Sequence, residues 1–350
     1  MGLAQEHHFV MVEDGGMRTR HAWLARPGAF MLCLVCCVGV AIVLIEALRQ
    51  ESGGRQAQRA TVSASVANRA QVPFPRAIRE SSGATLVIPR KPQRIVSQTL
   101  GTDEILLAIC DPQRIVALSV LVDDPQFSNV TDLAQHVTGR TNAGAEQILH
   151  FHPDMIFVAS YSKAELVELL HTAHAPVFRF VHFDRLEDIK MNIRTMGYII
   201  GEDDKAEALV QHMEHDMARV RASIPPDTAS VRVMLYGQGG YTGGANTTFD
   251  DMVQAVGATN VAAVHGVTGF RTISSEQLIQ WNPDVIITSA HRDALDAARH
   301  QLLRDPAVAV TAAGKHRRII VIPNHIFLTV THRITQGIVQ LARELYDPKS

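Results

Sequence analysis

Two glutamates stand 130 residues apart at the head of nearly the same local sequence. Glu146-Gln147-Ile148-Leu149-His150-Phe151-His152-Pro153-Asp154-Met155-Ile156 returns as Glu276-Gln277-Leu278-Ile279-Gln280-Trp281-Asn282-Pro283-Asp284-Val285-Ile286, with Glu, Gln, Pro, Asp and one Ile identical. A carboxylate placed once in each copy can complement the dipole of a helix start, or offer matched charges to an outside partner. Six residues before Glu146, Arg140 lies in Gly139-Arg140-Thr141. Its rigid guanidinium fork suits paired anionic oxygens. Tyr161, Tyr236, Tyr241, His291 and His325 each fall at or just past the end of an expected strand. Any one of them also reads as a surface side chain. Together they describe a cleft of aromatic faces and donors, suited to a large, partly apolar ligand.

Catalysis has no comparable support, so no enzyme and no resident cofactor are expected. There is no Gly-x-Ser-x-Gly elbow, no Walker lysine and no pair of catalytic carboxylates. Gly237-Gln238-Gly239-Gly240-Tyr241-Thr242 superficially resembles a dinucleotide loop, but Thr242 replaces its third glycine. Seventeen histidines invite a metal reading. His150-x-His152 precedes the Pro-Asp break and so lies at the wrong end of its strand for a cleft. His212 and His215 fall on one helix, and His171 and His174 around the end of another. A metal-ion receptor is therefore a minor alternative. Three of the four cysteines (Cys33, Cys36, Cys37) sit in an N-terminal apolar run. Cys110 is left without a disulfide partner, at the end of an apolar helix pattern, where it reads as buried filler. The formal net charge of −2 gives no electrostatic case for nucleic acid.

The elements that must position these residues follow from the repeat. Each copy is a short amphipathic helix broken at Pro-Asp and followed by a continuous apolar strand. Two such units a lobe's length apart, in a chain of 350 residues, imply two α/β lobes with mostly parallel sheets. The first lobe is expected over 86–183, with strands at Arg94–Ser97, Arg114–Leu118, Met155–Ala159 and Val177–Phe180. A helix capped by Thr102 follows its first strand. Residues 184–226 read as a connecting helical segment whose longer part, Lys205–Arg221, would alone cross between the lobes. The second lobe, 227–350, carries strands Val231–Tyr236, Val285–Thr288 and Ile319–Ile322 and a closing amphipathic helix. Ligand sites in such sheets lie beyond the C-terminal strand ends. That directs attention to Gln98–Gly101 (with Thr99), Ser119–Asn129, Ser160–Lys163, Gly237–Thr247, Ser289–Asp293 and Asn324–Thr331.

Ahead of the lobes, residues 1–28 flank an uncharged run, Ala29–Ile45, within a hydrophobic segment 29–48. Its length is near the lower limit for a transmembrane helix and beyond a usual signal-peptide core. An uncleaved membrane anchor is expected, with a cleaved export signal as the alternative and residues 49–85 as a flexible tether.

The tracts Val87-Ile88-Pro89, Pro92, Arg94-Ile95-Val96-Ser97 and Thr102-Asp103-Glu104-Ile105-Leu106 resemble the opening of class III periplasmic binding proteins. Gly244, Thr247-Thr248-Phe249, Met252, Gly257 and Asn260 resemble the second-lobe signature of the same family. Its members are receptors of ABC importers for ferric siderophores, haem and cobalamin, with two Rossmann-like lobes joined by one long helix. The resemblance implies that Glu146 and Glu276 dock on arginines of a permease dimer, which works with ATPase subunits. It places Arg140 and Tyr161 against ligand and the protein, a monomer, on the periplasmic side of the inner membrane. A ferric siderophore is the first expectation for the ligand. Haem or cobalamin are the alternatives; haem receptors tend to carry a tyrosine in the Arg140 loop, which this chain lacks.

Overall fold

The computed structural model describes residues 72–142, 144–225 and 230–346. The expected membrane segment lies outside them; among the described residues no helix is long and apolar enough to cross a membrane. The ordered body starts earlier than residue 86. Strand β1 (Arg76–Arg79) pairs antiparallel with β2 (Thr85–Ile88) and so belongs to the fold rather than to a tether. Arg76 anchors it, bonding Asp203 at 2.8 Å with its guanidinium packed near the Phe74 and Tyr198 rings.

The first lobe is a five-stranded parallel sheet in the order β5-β4-β3-β6-β7. Its strands and helices are β3 (Ile95–Ser97), α1 (Leu100–Ile109), β4 (Ile115–Ser119), β5 (Arg140–Thr141), α2 (Ala145–His150), β6 (Met155–Ala159), α3 (Ala164–Thr172) and β7 (Val177–Phe180). Thr99, not Thr102, caps α1; Thr102 sits at the third helical position and closes a reciprocal capping box with it.

The link between lobes is a helical hairpin, not one helix. Helix α4 (Leu186–Ile200) starts against the second lobe, where the Leu186 N–H donates to Asp251 at 2.7 Å. It ends at the first lobe, where Arg114 donates to the Ile200 carbonyl at 2.7 Å. Helix α5 (Asp203–Ser223) runs back, beginning at Glu202, which is bound by Arg114 at 2.7 Å and Lys91 at 2.8 Å. The turn at Gly201-Glu202 has Gly201 at φ 70°, a conformation glycine adopts without strain. At a rise of about 1.5 Å per residue both helices are long enough to span the gap.

The second lobe has a parallel sheet in the order β10-β8-β12-β13. It contains β8 (Arg232–Leu235), β9 (Tyr241–Gly243), α6 (Thr248–Ala255), β10 (Thr259–Asn260), β11 (Phe270–Thr272), α7 (Ser275–Trp281), β12 (Val285–Ala290), α8 (Leu295–Arg304), β13 (Ile319–Pro323) and α9 (Ile334–Tyr346). The glycine-rich stretch after β8 is not an open loop, since β9 within it pairs antiparallel with β11.

Alternation along these apolar strands sorts side chains between two faces of each sheet. Met155 and Phe157 of β6, with Val285 and Ile287 of β12, join the core shared with α4, α5 and α9. Ile156 and Val158 face the first lobe's outer helices, and Ile286 those of the second.

The candidate ligand cleft and docking face

The repeat is a symmetric structural device. His152 and Asn282, at equivalent positions, both take left-handed backbone (φ 46° and 45°) just before the proline. The following Asp154 accepts the Gln93 and Arg94 backbone N–H groups at 2.8–3.0 Å, and Asp284 accepts that of Arg232 at 3.1 Å. Arg94 and Arg232 then donate to the helix-end carbonyls of their own copies, Phe151 and His152 in one and Trp281 and Asn282 in the other. The shared glutamines are also used: Gln147 donates to the Arg140 carbonyl at 3.0 Å, and Gln277 closes a capping box with Ser274. Glutamates are different. Both are exposed in the first turn of their helix, and Glu146 has no hydrogen bond or ion pair among the described residues. For Glu276 the Ser274 hydroxyl, and after it the residue's own backbone N–H, lower the carboxyl pKa.

Beyond the strand ends, a cavity of about 270 Å³ lies between the lobes. Leu100, Gly101 and Glu104 of α1, with Phe127 and Tyr161, form its first-lobe wall; Leu328, Thr329 and Val330 close it from the second. A Cβ at Gly101 would meet Val330 at 3.0 Å and the Tyr161 hydroxyl at 3.3 Å, so glycine permits this approach of the lobes.

Glu104 is the feature that sequence reading missed. It is 1% exposed, and its Oε1 accepts the Asn129 backbone N–H at 3.0 Å and side-chain N–H at 2.9 Å. Oε2 accepts the hydroxyls of Thr329 at 3.0 Å and Thr331 at 2.6 Å, both from the other lobe. Among the described residues no cation pairs with it. Three further contacts cross the cleft. Asn129 donates to the His325 carbonyl at 2.6 Å, the Arg292 N–H donates to the Gln126 side chain at 3.0 Å, and the Phe127 and His291 rings meet edge-on at 5.6 Å. One signal was available: an otherwise apolar α1 opens with Asp103-Glu104, and buried polar groups require partners. Both are buried. Asp103 accepts the Ser119 N–H at 3.2 Å, and burial pushes its carboxyl up to about 7.

The sequence-predicted residues divide. Tyr161 lines the cavity, its ring 5.4 Å from Phe183 and its hydroxyl beside Thr99; the residue is 59% exposed, and its partial burial raises the phenol pKa. Thr99 is nearly buried as the α1 cap. His325 is buried, its Nδ1 accepting from Arg292 Nε at 3.2 Å, and burial lowers its pKa, helped by the Arg292 charge. His291 stays at the rim. Tyr236 falls on the sheet face that packs with Ile273 and Trp281, only 6% exposed, so strand parity takes it from the cleft. Tyr241 stacks on Phe270 at 5.4 Å with planes 5° apart, outside the cavity lining. Arg140 is not brought to the cavity. Its Nε and Nη2 grip Asp123 at 2.6 and 2.8 Å, and the remaining donors reach the Ala134, Val137 and Gly139 carbonyls. A Cβ on the preceding Gly139 would lie 2.0 Å from the Val116 carbonyl oxygen, so this loop is built for close packing on β4.

Cys110 is buried, with its thiol pushed up to about 11. The His150 and His152 rings lie 6.4 Å apart, and no group of three or more metal-ligating side chains occurs among the described residues.

Two lobes with parallel sheets thus enclose a lined cleft between them. Residues 95–326 match the model of the Periplasmic binding protein family, and the chain belongs to that family. It is 25% identical over 258 residues to the "Cobalamin-binding protein" of Halobacterium salinarum, covering 72% of this chain and 69% of that one. It is 23% identical over 281 residues to the "Uncharacterized ABC transporter substrate-binding lipoprotein YvrC" of Bacillus subtilis, covering 78% and 86%. A possible iron-binding (periplasmic solute-binding) protein from Staphylococcus epidermidis shares the fold, with TM-score 0.66 and 21% identity, covering 74% of this chain and 100% of that one.

Proposed function

We propose that this protein is the substrate-binding component of an ABC importer and that it carries a corrinoid of the cobalamin class between its lobes. The observation that carries the ligand class is the charge of the cavity wall. Leu100, Phe127, Tyr161, Leu328 and Val330 supply apolar and aromatic surface, and the one charged group among the lining residues is the Glu104 carboxylate. No lysine or arginine among the lining residues offers a partner to haem propionates or anionic chelates, whereas amide groups of the kind that border a corrin ring need no cation. The cobalamin-binding relative from Halobacterium salinarum points the same way.

A ferric siderophore is the second reading. It lost its main support when Arg140 proved to be engaged by Asp123; the adjacent hydroxyls of Tyr161 and Thr99 remain in its favour. Sites for drug-sized molecules occupy about 300–1,000 Å³, so a corrinoid would require the lobes to part from the present 270 Å³ cavity. Delivery would be to a permease dimer with its ATPase subunits, from the periplasmic side of the inner membrane. The segment 29–48 would serve as an uncleaved anchor and the receptor would act as a monomer.

The test is titration of the full chain with cyanocobalamin, ferric siderophores and haemin by tyrosine and tryptophan fluorescence. Tight cyanocobalamin binding is expected. Saturable binding of a ferric siderophore with no response to cyanocobalamin would overturn the corrinoid assignment. Amino-terminal sequencing of the mature protein checks the anchor, which fails if the chain begins downstream of residue 48.

A further inference from the structure

At the rim of the cleft, a turn of the first lobe is seated against two loops of the second. Asp124 and Pro125 shape that turn. The Asp124 side chain accepts the Gln126 N–H at 2.9 Å, its carbonyl accepts the Phe127 and Ser128 N–H groups at 3.1 and 2.8 Å, and proline favours the bend. Gln126, Phe127 and Asn129 are thereby presented to the other lobe, and each finds a partner there. The Gln126 side chain accepts the Arg292 backbone N–H at 3.0 Å, and the Asn129 amide donates to the His325 carbonyl at 2.6 Å. Between them the Phe127 and His291 rings meet edge-on at 5.6 Å. The second-lobe side is itself tied together. Arg292 Nε donates to His325 Nδ1 at 3.2 Å, which joins the loop after β12 to the loop after β13 in one socket.

We propose that the turn Asp124–Asn129 is a latch on the cleft: seated on His291, Arg292 and His325, it holds the lobes together in the unliganded protein and leaves that socket before ligand enters. This rests on the reading of the interlobe cleft as the ligand site. The latch and the cavity share their walls. Phe127 lines the cavity from the turn, and Leu328, Thr329 and Val330 line it from the loop that begins at His325. Any ligand larger than the 270 Å³ cavity therefore draws apart the two segments that the latch joins. The contacts suit repeated release. Both hydrogen bonds to the socket are between neutral groups, Gln126 is partly exposed and Arg292 exposed, so water can take over each bond as the turn lifts. A ligand that binds only the open form has its apparent affinity reduced by the fraction of molecules that are open. Weakening the latch should thus speed and tighten binding, the reverse of what loss of a ligand contact would do.

The experiment compares wild type, Gln126→Ala and Asp124→Ala as full chains. The first variant removes a latch contact, and the second loosens the turn without touching the socket. Amide hydrogen exchange of the unliganded proteins is followed in peptides 124–130, 289–293 and 325–331. Each variant should speed exchange in all three by about 2- to 10-fold, the worth of one hydrogen bond, and leave the core strands β6 and β13 unchanged. Peptide 325–331 decides, because neither substituted side chain is bonded to it. Faster exchange confined to 124–130 and 289–293 would overturn the latch. Rapid mixing with cyanocobalamin, read by fluorescence, adds the ligand. In wild type the observed rate should level off with concentration at the rate of opening, and Gln126→Ala should raise that plateau and tighten binding by about 2- to 10-fold. Weaker binding by Gln126→Ala with unchanged exchange at 325–331 would make Gln126 a ligand contact and refute the proposal. If wild type ignores cyanocobalamin, the corrinoid reading fails by itself, and exchange at 325–331 alone decides the latch.

Discussion

Arg140 holds Asp123 in a two-pronged grip, with Nε to one carboxylate oxygen at 2.6 Å and Nη2 to the other at 2.8 Å. The pair ties the strand-end turn before the cleft to the edge strand β5, and the carbonyls of Ala134, Val137 and Gly139 take up what the carboxylate leaves. An arginine that suits anionic oxygens has found them within its own chain. Its effect on ligand is therefore through the position of 119–129, the segment that presents Phe127 and Asn129 to the cleft.

Arg140→Ala should accordingly lower stability while leaving ligand affinity close to that of wild type. The Asp123 side chain is half exposed, which screens the pair, so the ion-pair part is worth at most about 1 kcal/mol. Asp123 has its carboxyl pKa lowered by the Arg140 hydrogen bonds, so this part of the stability is present above the usual carboxylate range. It is lost as pH falls through the depressed value. Urea unfolding of both proteins at pH 7 and pH 3 checks it: the gap between them should narrow in acid. A gap that widens there would refute the assignment.

Asp103 gives the opposite slope. Burial raises its carboxyl from 3.8 to about 7, so between those values the folded protein binds a proton that the unfolded chain has released. Stability contributed by this group is full below about pH 4, declines as pH rises to 7, and is absent above. Asp103→Asn removes the titration and keeps an acceptor for the Ser119 N–H. Stability of wild type relative to Asp103→Asn should therefore increase by roughly 1–4 kcal/mol on acidification from pH 8 to pH 5. Denaturant curves at four pH values in that range read it directly, and a pH-independent difference would show that Asp103 does not titrate there.

The lobes, their parallel strands and the order of elements were legible because long apolar runs and the Pro-Asp break are local signals. The six segments at strand ends were legible for the same reason, and four of them, Gln98–Gly101, Ser119–Asn129, Ser160–Lys163 and Asn324–Thr331, supply residues of the cavity wall. Individual residues within them were not. Tyr236 differs from a cleft residue only by strand parity, which depends on the last residue of β8 and on register. Arg140 looked free because its partner Asp123 lies seventeen positions away across a turn. Glu104 looked like a helix-start acid because the threonines that bond it come from residues 329 and 331, a separation no local pattern encodes. The helical hairpin was hidden for a related reason. Leu186–Ile200 packs against both lobes, and its ends are fixed by Asp251 and Arg114, contacts visible only after folding.

The repeat supplies the last prediction. Of its identical residues, Gln, Pro and Asp are used inside the lobes, where they fix the loop before the helix and stitch the helix end to the first strand. Glu146 and Glu276 are spent on nothing comparable and remain exposed, one on each lobe. Matched carboxylates on two lobes fit a partner with two matched cationic sites, as a permease dimer would offer. Exposed ion pairs are individually weak, so each single alanine variant should reduce uptake only in part. The Glu146→Ala/Glu276→Ala double variant should abolish ligand uptake in cells while the purified protein keeps wild-type ligand affinity. Replacement of both by aspartate should restore part of the uptake, because the charges return on shorter side chains. If the carboxylates served only the helix dipoles, the double alanine variant would melt earlier but transport normally, and that result would end the docking assignment.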